Sequence, residues 1–272
     1  MIRKVDLHIH TCASDGSWSP KEVVENIDQN EIKIFAVSDH DEIGSVAEIQ
    51  QLVKNRNDLT YIKAVEISVQ HNNKEYHILT YNIDETNPKL LELLNKNQAI
   101  REDYNIKTIE FVSKKHHQIS VESYLNYDYI PTQGGWKAYG YLLVNNVISN
   151  IKDYFRITDD FSYPKQFQSP EVVIPYLNAL GYTTILAHPP VYTKGDFLDI
   201  NELDYWRELG IKGLECYSQY LKNQENSKYY VDFCHQHKLQ ITGGSDCHGG
   251  FVKRRLCHPL VTEDMIDFLY QT

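Results

Sequence analysis

Short apolar runs alternate with amphipathic helical patterns at both ends of the chain, and this alternation is the feature that most limits its fold. Near the start, KVDLHI and IKIFAVS have strand character, and SPKEVVENIDQNE between them is typical of a helix with Ser19 as N-cap. The alternation returns with SPEVVIPYLNALG and continues through YTTILAHPP and IKGLECYS. Repeated βα units predict an α/β fold with a parallel sheet, either open or closed into a barrel.

Two regions depart from this alternation. TYIKAVEISVQ and EYHILTYNID are both strand-like, and the turn-rich HNN between them predicts an antiparallel hairpin. Residues 87–165 are helical in period and rich in aromatic side chains, so we predict a helical insertion domain there, with 1–86 and 166–272 forming the barrel domain. The last segment, TEDMIDFLYQT, predicts a closing helix.

The composition limits the partners of the protein. A formal net charge of −10 argues against stable binding of duplex nucleic acid through a broad basic face. A small anion remains compatible with this charge, because bound metal ions can reverse its sign locally. No apolar run approaches the roughly 20 residues of a membrane helix, and the N-terminus lacks the apolar core of a secretion signal. We therefore expect a cytoplasmic protein with no membrane partner, whose oligomeric state the sequence leaves open.

The predicted strands repeatedly end in residues that bind metals. In α/β folds the carboxyl ends of the strands face one crevice or barrel mouth, so residues far apart in sequence would meet there. A lone histidine at a strand end is more often structural, but two such residues spaced i, i+2 lie on one face of a strand and can bind the same ion. The residues in these positions are His8, His10, His40, Glu66, His77, His188, Asp246 and His248.

The types of these residues indicate the metals. Imidazole and carboxylate without thiolate favour Mn, Fe or Zn over a structural cysteine-type zinc site. The set is larger than one ion can use, so we predict two to three divalent ions that share a carboxylate.

Six motifs in order carry a resemblance to a known family: DLHIHTCASDG, AVSDHDEIG, AVEIS, EYHIL, ILAHP and GGSDCHG. With them the chain resembles the PHP (polymerase and histidinol phosphatase) family of metal-dependent phosphoesterases. It looks most like the subgroup with a helical insertion, which hydrolyses nucleotide phosphates, including nucleoside 3′,5′-bisphosphates, and in some members trims short RNA from the 5′ end. The resemblance implies a distorted (β/α)7 barrel with a trinuclear metal centre.

The resemblance also implies roles for individual residues. His8, His10, Glu66 and Asp246 would hold a first ion, Glu66, His77 and His188 a second, and Asp15, His40 and His248 a third. A metal-bound water would be the nucleophile. Asp41 or His188 are candidates for proton transfer to the leaving group, and Asp6 and Asp39 are expected to orient the ligating imidazoles.

The sequence defines the substrate contacts less sharply. Where the subgroup's insertion usually carries Arg-Pro-His, this chain reads GGWKAYG, which places Lys137 in the position of the histidine. Lys137 could contact a phosphate as a point charge, or be an ordinary surface lysine. Trp136 could stack on a base, or simply pack the insertion onto the barrel. Lys253, Arg254 and Arg255 could bind a second phosphate, although such clusters are often solvated loops.

Together these features predict a phosphoric ester hydrolase. It would use a metal-activated water to cleave a phosphomonoester or phosphodiester of a nucleotide or short oligonucleotide. One alternative is a phosphatase of the histidinol-phosphate type, against which the helical insertion argues. Another is a non-catalytic, metal-binding regulatory domain, although a purely structural site is usually closed with four ligands.

Overall fold

A single mixed sheet organises the protein. The computed structural model describes residues 2–268, and within them eight strands follow the order β7–β6–β5–β4–β3–β2–β1–β8. The strands are β1 (Lys4–Asp6), β2 (Ile32–Val37), β3 (Thr60–His71), β4 (Lys74–Tyr81), β5 (Thr183–Leu186), β6 (Gly213–Ser218), β7 (Gln240–Gly244) and β8 (Val261–Thr262). Neighbouring strands are parallel except that β4 is antiparallel to β3 and β5, and β8 is antiparallel to β1.

The sheet closes into a barrel because the chain just after β1, which is next to the short edge strand β8, bonds to β7 at the opposite edge. The amide of Leu7 donates to the carbonyl of Gly243 at 3.2 Å. A side chain at Gly244 would obstruct this seam, since a Cβ atom there would lie 2.5 Å from the Cβ atom of His8. The predicted (β/α)7 barrel is thus confirmed, with the short β8 as an additional strand.

Helices cover the outside of the sheet. Within the described part of the chain they are α1 (Pro20–Gln29), α2 (Val46–Val53), α3 (Pro88–Ser113), α4 (Val121–Leu125), α5 (Lys137–Val144), α6 (Ile151–Phe161), α7 (Pro170–Ala179), α8 (Ile200–Glu208) and α9 (Ser227–His237). The start of α1 follows the sequence signals closely, because Ser19 and Glu22 form a reciprocal capping box and Pro20 occupies the first turn. None of the described helices is long and apolar enough to cross a lipid bilayer.

The helices α3 to α6 lie between β4 and α7 in the sequence and have a hydrophobic cluster of their own. The 26-residue helix α3 connects this cluster to the barrel. Its first turns bury Leu90 and Leu93 against the barrel, whereas Ile109 and Val112 belong to the cluster of the insertion. The middle of α3 therefore passes directly beside the barrel mouth. The division of the chain into domains at 86/87 and 165/166 stays a prediction.

The predicted hairpin and the predicted closing helix have different outcomes. The β3–β4 hairpin is confirmed, with Ser68 opposite His77. The closing helix is wrong where the chain is described: Thr262 pairs with Lys4 in β8, a 3₁₀ turn spans Glu263–Met265, and Asp267 forms a β-bridge with Ile241. The free edge of β1 offers backbone hydrogen bonds to this segment, and they outweigh its helical periodicity. The last four residues of that expectation, 269–272, lie outside the described residues.

Candidate metal centre

Nine predicted side chains converge at the mouth of the barrel, with Glu66 at their centre. Glu66 extends from β3 and is completely buried. Its carboxylate lies within 3.3 Å of five imidazoles: His8 Nε2 at 3.2 Å, His10 Nε2 at 3.3 Å, His40 Nδ1 at 3.1 Å, His77 Nδ1 at 3.2 Å and His188 Nε2 at 3.0 Å. We call these six residues, with Asp15, Asp246 and His248, the metal-ligand cluster.

The remaining three members complete the cluster on the side of β1 and β7. His10 Nε2 lies 3.1 Å from Asp246 Oδ1, and the Nε2 atoms of His8 and His10 are 3.0 Å apart. Asp15 reaches back over the mouth from the turn after His10, so that its Oδ1 atom lies 3.2 Å from His248 Nε2.

The backbone is strained at the points where several chain segments enter the mouth. Asp41, His188 and Asp246 have φ angles of 51°, 30° and 49°, which non-glycine residues rarely adopt. Such conformations persist only where surrounding contacts enforce them, and they concentrate at functional sites. Here they turn the chain sharply at the ends of strands.

The cluster contains several overlapping sets of metal-binding atoms. Four groups have all their ligand atoms within 4.8 Å of one another: His10, Asp15, His40 and His248; His8, His10 and Glu66; His8, His188 and Asp246; and His40, Glu66 and His77. Adjacent groups share His8, His10, His40 or Glu66, so neighbouring ions could be bridged by a common ligand.

The hydrogen bonding of these residues fits divalent cations. Glu66 Oε2 and Asp246 Oδ1 are buried without a hydrogen-bond partner, as are the Nδ1 atoms of His10, His40 and His188. Leaving buried polar atoms unpaired is costly, and a divalent ion would satisfy them. Imidazole and carboxylate are the ligand types that Mn, Fe and Zn accept.

The electrostatics of the cluster keep its acids ionised. Burial disfavours the charged form of Glu66, but the imidazoles of His8 and His40 outweigh burial and hold the pKa of this carboxyl well below its usual range. Burial likewise opposes the ionisation of Asp246, and the Arg254 guanidinium lowers the pKa of this group well below normal. Burial also disfavours a charged His10, yet Asp246 and Glu66 raise its pKa to about 9. A divalent cation would therefore displace protons from the cluster when it binds.

Two further carboxylates, which the sequence did not single out, orient the imidazoles. Glu215 on β6 contacts His8 Nδ1 at 3.0 Å and accepts a hydrogen bond from the amide of His188 at 2.6 Å. Glu75 on β4 lies 3.2 Å from His77 Nε2. Such contacts set the orientation of metal-ligating rings. In the sequence, the signal that could have indicated Glu215 is its place inside the apolar run GLECYS. A charged residue buried in such a strand needs a partner.

Asp6 and Asp39 differ from the prediction that they orient imidazoles. Asp6 accepts hydrogen bonds from the amides of Ser245 at 2.9 Å and Cys257 at 3.2 Å. Asp39 accepts from the amide of Thr11 and the hydroxyl of Ser14, both at 2.7 Å. Both carboxylates therefore fix the backbone of loops that carry cluster residues.

The carboxylate of Asp41, one of the two candidates for proton transfer, accepts hydrogen bonds from three other residues. Its Oδ1 atom accepts from the amide of Ser68 and from Asn97 Nδ2, and its Oδ2 atom accepts from Arg101 Nη2 at 2.9 Å. These donors occupy both oxygen atoms of the carboxylate and tie Asp41 to β3 and α3. For His188, the other candidate, the ring lies inside the metal-ligand cluster.

The predicted substrate-binding residues separate into two groups. Lys137 points into the insertion, where its Nζ atom donates to the carbonyl of Leu125 at 3.2 Å and lies 5.0 Å from the ring of Tyr124. Lys253 and Arg255 are exposed to solvent. None of these three residues forms a hydrogen bond or an ion pair with the metal-ligand cluster.

Arg254 and Trp136, in contrast, reach the barrel mouth. Arg254 Nη1 donates to Asp246 Oδ2 at 2.8 Å and lies 3.2 Å from His248 Nδ1. Trp136 lines a cavity together with His40, a member of the metal-ligand cluster. The chain thus brings one cation and one aromatic ring of the predicted set to the site.

Comparison with known proteins identifies the class to which this fold and site belong. The PHP domain family matches residues 6–156, more than half of the chain. The chain therefore belongs to the PHP domain family, as its motifs predicted.

Individual relatives extend this comparison. The chain is 27% identical to a 5′-3′ exoribonuclease of Haemophilus influenzae over 257 aligned residues. The alignment covers 91% of each protein. It is 32% identical over 89 residues to a 3′,5′-nucleoside bisphosphate phosphatase of Chromobacterium violaceum, over 33% of this chain and 31% of that protein. A candidate metal-dependent phosphoesterase of Bifidobacterium adolescentis has the same fold, with a TM-score of 0.81 and 22% identity over 96% of this chain and 93% of its own.

Proposed function

We propose that the chain is a metal-dependent phosphoesterase that hydrolyses phosphate esters of nucleotides or of the 5′ ends of short RNA. The observation that carries this proposal is the buried metal-ligand cluster, in which Glu66 Oε2 and Asp246 Oδ1 have no hydrogen-bond partner. The nucleotide part of the proposal is supported by the relatives, which are an exoribonuclease and a nucleoside bisphosphate phosphatase.

Three sets of ligands would hold the ions. We assign His8, His10, Glu66 and Asp246 to the first, Glu66, His77 and His188 to the second, and Asp15, His40 and His248 to the third. Divalent ions bound there supply an activated water and neutralise the charge on the phosphoryl oxygens. The three carboxylates of the set only partly cancel the charge of two or three divalent ions, so the loaded site favours an anionic phosphate.

The protein itself positions this chemistry. Glu215 holds the ring of His8 in place, and Arg254 and the hydroxyl of Tyr220 hold Asp246 Oδ2 at 2.8 Å and 2.5 Å. Arg254 remains partly exposed at the mouth, where its other nitrogen atoms can contact a phosphoryl oxygen. We expect single-stranded or mononucleotide substrates rather than duplexes, because the chain carries a net charge of −10.

A substrate panel tests the proposal. The Mn²⁺-loaded protein is assayed for phosphate or nucleotide release from adenosine 3′,5′-bisphosphate, 5′-phosphorylated short RNA, and histidinol phosphate. We expect turnover of the nucleotide substrates and its loss in Asp246→Asn. Turnover of histidinol phosphate alone would overturn the nucleotide assignment. A metal-replete protein that is inert on every ester would instead support a regulatory metal-binding domain.

A further inference from the structure

We infer that a groove between the barrel mouth and the helical insertion binds the nucleobase of the substrate, with Trp136 as its stacking platform. This inference rests on the proposed function, since it requires the phosphate to bind at the metal-ligand cluster. The groove consists of two adjoining cavities. One, of about 160 Å³, is lined by His40, Arg101, Asn105 and Trp136. The other, of about 100 Å³, shares Arg101, Asn105 and Trp136. We call the two cavities together the base groove.

Two aromatic side chains of α6 pack against the Trp136 ring on one side of the base groove. Trp136 precedes α5 directly, and its ring stacks on that of Tyr154 with a centroid distance of 5.8 Å. Phe155 packs against the same indole at 6.2 Å and is itself half-exposed. An aromatic ring held in this way, but still open to a cavity, provides a preformed surface for a planar ligand. Stacking of a base on such a ring contributes about 1–3 kcal/mol.

Arg101 lines both cavities and has donors that the protein itself does not use. Its hydrogen bonds all involve Nη2, which donates to Asp41 at 2.9 Å, Ser68 at 2.6 Å and Glu75 at 3.3 Å. The Nε atom is buried without a partner. The nearby Asn105 is almost completely buried and lines both cavities. The ring nitrogens and carbonyl groups of a base can use such donors.

Charge favours a base over a second phosphate in this groove. The positive charge of Arg101 is already offset by Asp41 and Glu75, with which it forms ion pairs at 2.9 Å and 3.3 Å. Glu42 and Glu102 also line the larger cavity. Lys165, which also lines the groove, is likewise paired with Glu75, at 2.6 Å. A phosphate would meet Glu42 and Glu102 while both cations of the groove are engaged by other acids, whereas a neutral ring carries no such penalty.

Size and position agree with a single base. Pockets for drug-sized ligands span about 300–1,000 Å³, and both cavities are smaller than that. His40 belongs both to the groove and to the metal-ligand cluster, where its Nδ1 atom lies 3.1 Å from Glu66 Oε2. A phosphate at the cluster and a base in the groove would thus be joined through one ribose. The groove would select nucleotides over phosphate esters that lack a base.

A pair of substrates that differ only in the base tests this inference. The Mn²⁺-loaded enzyme is assayed on a 5′-phosphorylated dinucleotide and on the same compound with an abasic first residue. We expect Trp136→Ala to lower kcat/KM for the base-bearing substrate about 10- to 100-fold and to leave the abasic substrate unchanged. Trp136→Phe, which keeps a ring, should retain most of the activity. Phe197→Ala removes a half-exposed ring outside the groove and should change neither rate.

The outcomes separate the groove from the proposed function. If Trp136→Ala slows both substrates equally, or if the wild type does not distinguish them, the base groove is wrong while the phosphoesterase assignment stands. If the wild type hydrolyses neither substrate, the proposed function fails.

Indole fluorescence provides a test of the groove that needs neither turnover nor the alanine variant. Titration with AMP should quench the fluorescence of the wild type, ribose 5-phosphate should not, and Trp136→Phe should remove the quenching. The absence of quenching by AMP in the wild type would overturn the groove.

Discussion

Two buried polar clusters lie side by side at the barrel mouth, and they balance their charges differently. In the metal-ligand cluster, Glu66 and Asp246 each keep an oxygen without a hydrogen-bond partner. In the neighbouring cluster, which we call the Arg101 network, Asp41 pairs with Arg101 at 2.9 Å and Glu75 pairs with Lys165 at 2.6 Å. Both sets of acids pair with cations of the chain, since Arg254 lies 2.8 Å from Asp246 Oδ2. The metal-ligand cluster differs because it also keeps buried carboxylate oxygens without a hydrogen bond, where an external cation could bind.

The two ways of balancing charge suit two different roles, one structural and one in metal binding. The Arg101 network connects α3 of the insertion to β3 and β4, so its ion pairs hold the insertion on the barrel. An internal cation suits such a structural role because it is always present. Open carboxylate oxygens instead suit an exchangeable ion that takes part in chemistry.

The largest effect should come from the centre of the metal-ligand cluster. Glu66→Gln removes the charge that five imidazoles surround, so we expect kcat/KM on a nucleotide substrate to fall roughly a thousandfold or more, together with loss of bound metal. Glu85→Gln, a glutamate that pairs with Lys63 away from the mouth, serves as the control. Retention of both metal and activity in Glu66→Gln would remove the distinction between the two clusters.

The Arg101 network should respond through stability. Arg101→Met leaves the fully buried Asp41 without its cation, and we expect the free energy of unfolding to fall by about 3–5 kcal/mol in urea denaturation. Arg56→Met, which breaks the solvent-exposed pairs with Asp28 and Asp58, should cost much less because water screens them. Equal losses in the two variants would contradict a structural role for the buried pair.

Addition of metal should distinguish the clusters directly. Mn²⁺ at a hundred times its Kd should stabilise the native state by about 2.7 kcal/mol, visible as a rise in Tm, and EDTA should reverse it. The gain should fall sharply in Asp246→Asn, which removes the negative charge of a proposed ligand. A Tm that does not respond to Mn²⁺ in the wild type would show that the open oxygens of the cluster need no external cation.

A smaller effect is expected from the carboxylate behind the cluster. Glu215→Gln keeps the shape of the side chain but weakens its hold on His8 Nδ1, so metal affinity measured by calorimetry should fall about 10- to 100-fold. Glu202→Gln, which changes the partner of the Tyr76 hydroxyl, provides a matched control. Unchanged affinity in Glu215→Gln would confine the cluster to the nine predicted side chains.

The smallest effect should come from Lys137. Its ammonium group binds the carbonyl of Leu125 within the insertion, so Lys137→Ala should change kcat/KM by less than about twofold. A tenfold loss that is specific to phosphorylated nucleotides would bring Lys137 back into the substrate site and would require the insertion to move.

The sequence predicted the barrel because the periodicity of apolar residues in each strand and helix is a local property. Alternating strand and helix signals, the HNN turn and the cap at Ser19 each depend on a few neighbouring residues. The closing helix failed for the opposite reason: Thr262, the first residue of that segment, pairs with Lys4, almost the whole length of the chain away. Periodicity within a segment carries no information about an open strand edge elsewhere.

The same division applies to the site. The sequence by itself determined which residue types stand at the strand ends, and the carboxyl ends of parallel strands must meet at one mouth. Only the tertiary structure decided how each charge is balanced: that Glu215 contacts His8, that Asp41 pairs with Arg101, and that Lys137 turns away. Ion pairing depends on distances of a few ångströms between segments far apart in the chain, and on how little water reaches them. A linear pattern specifies neither quantity.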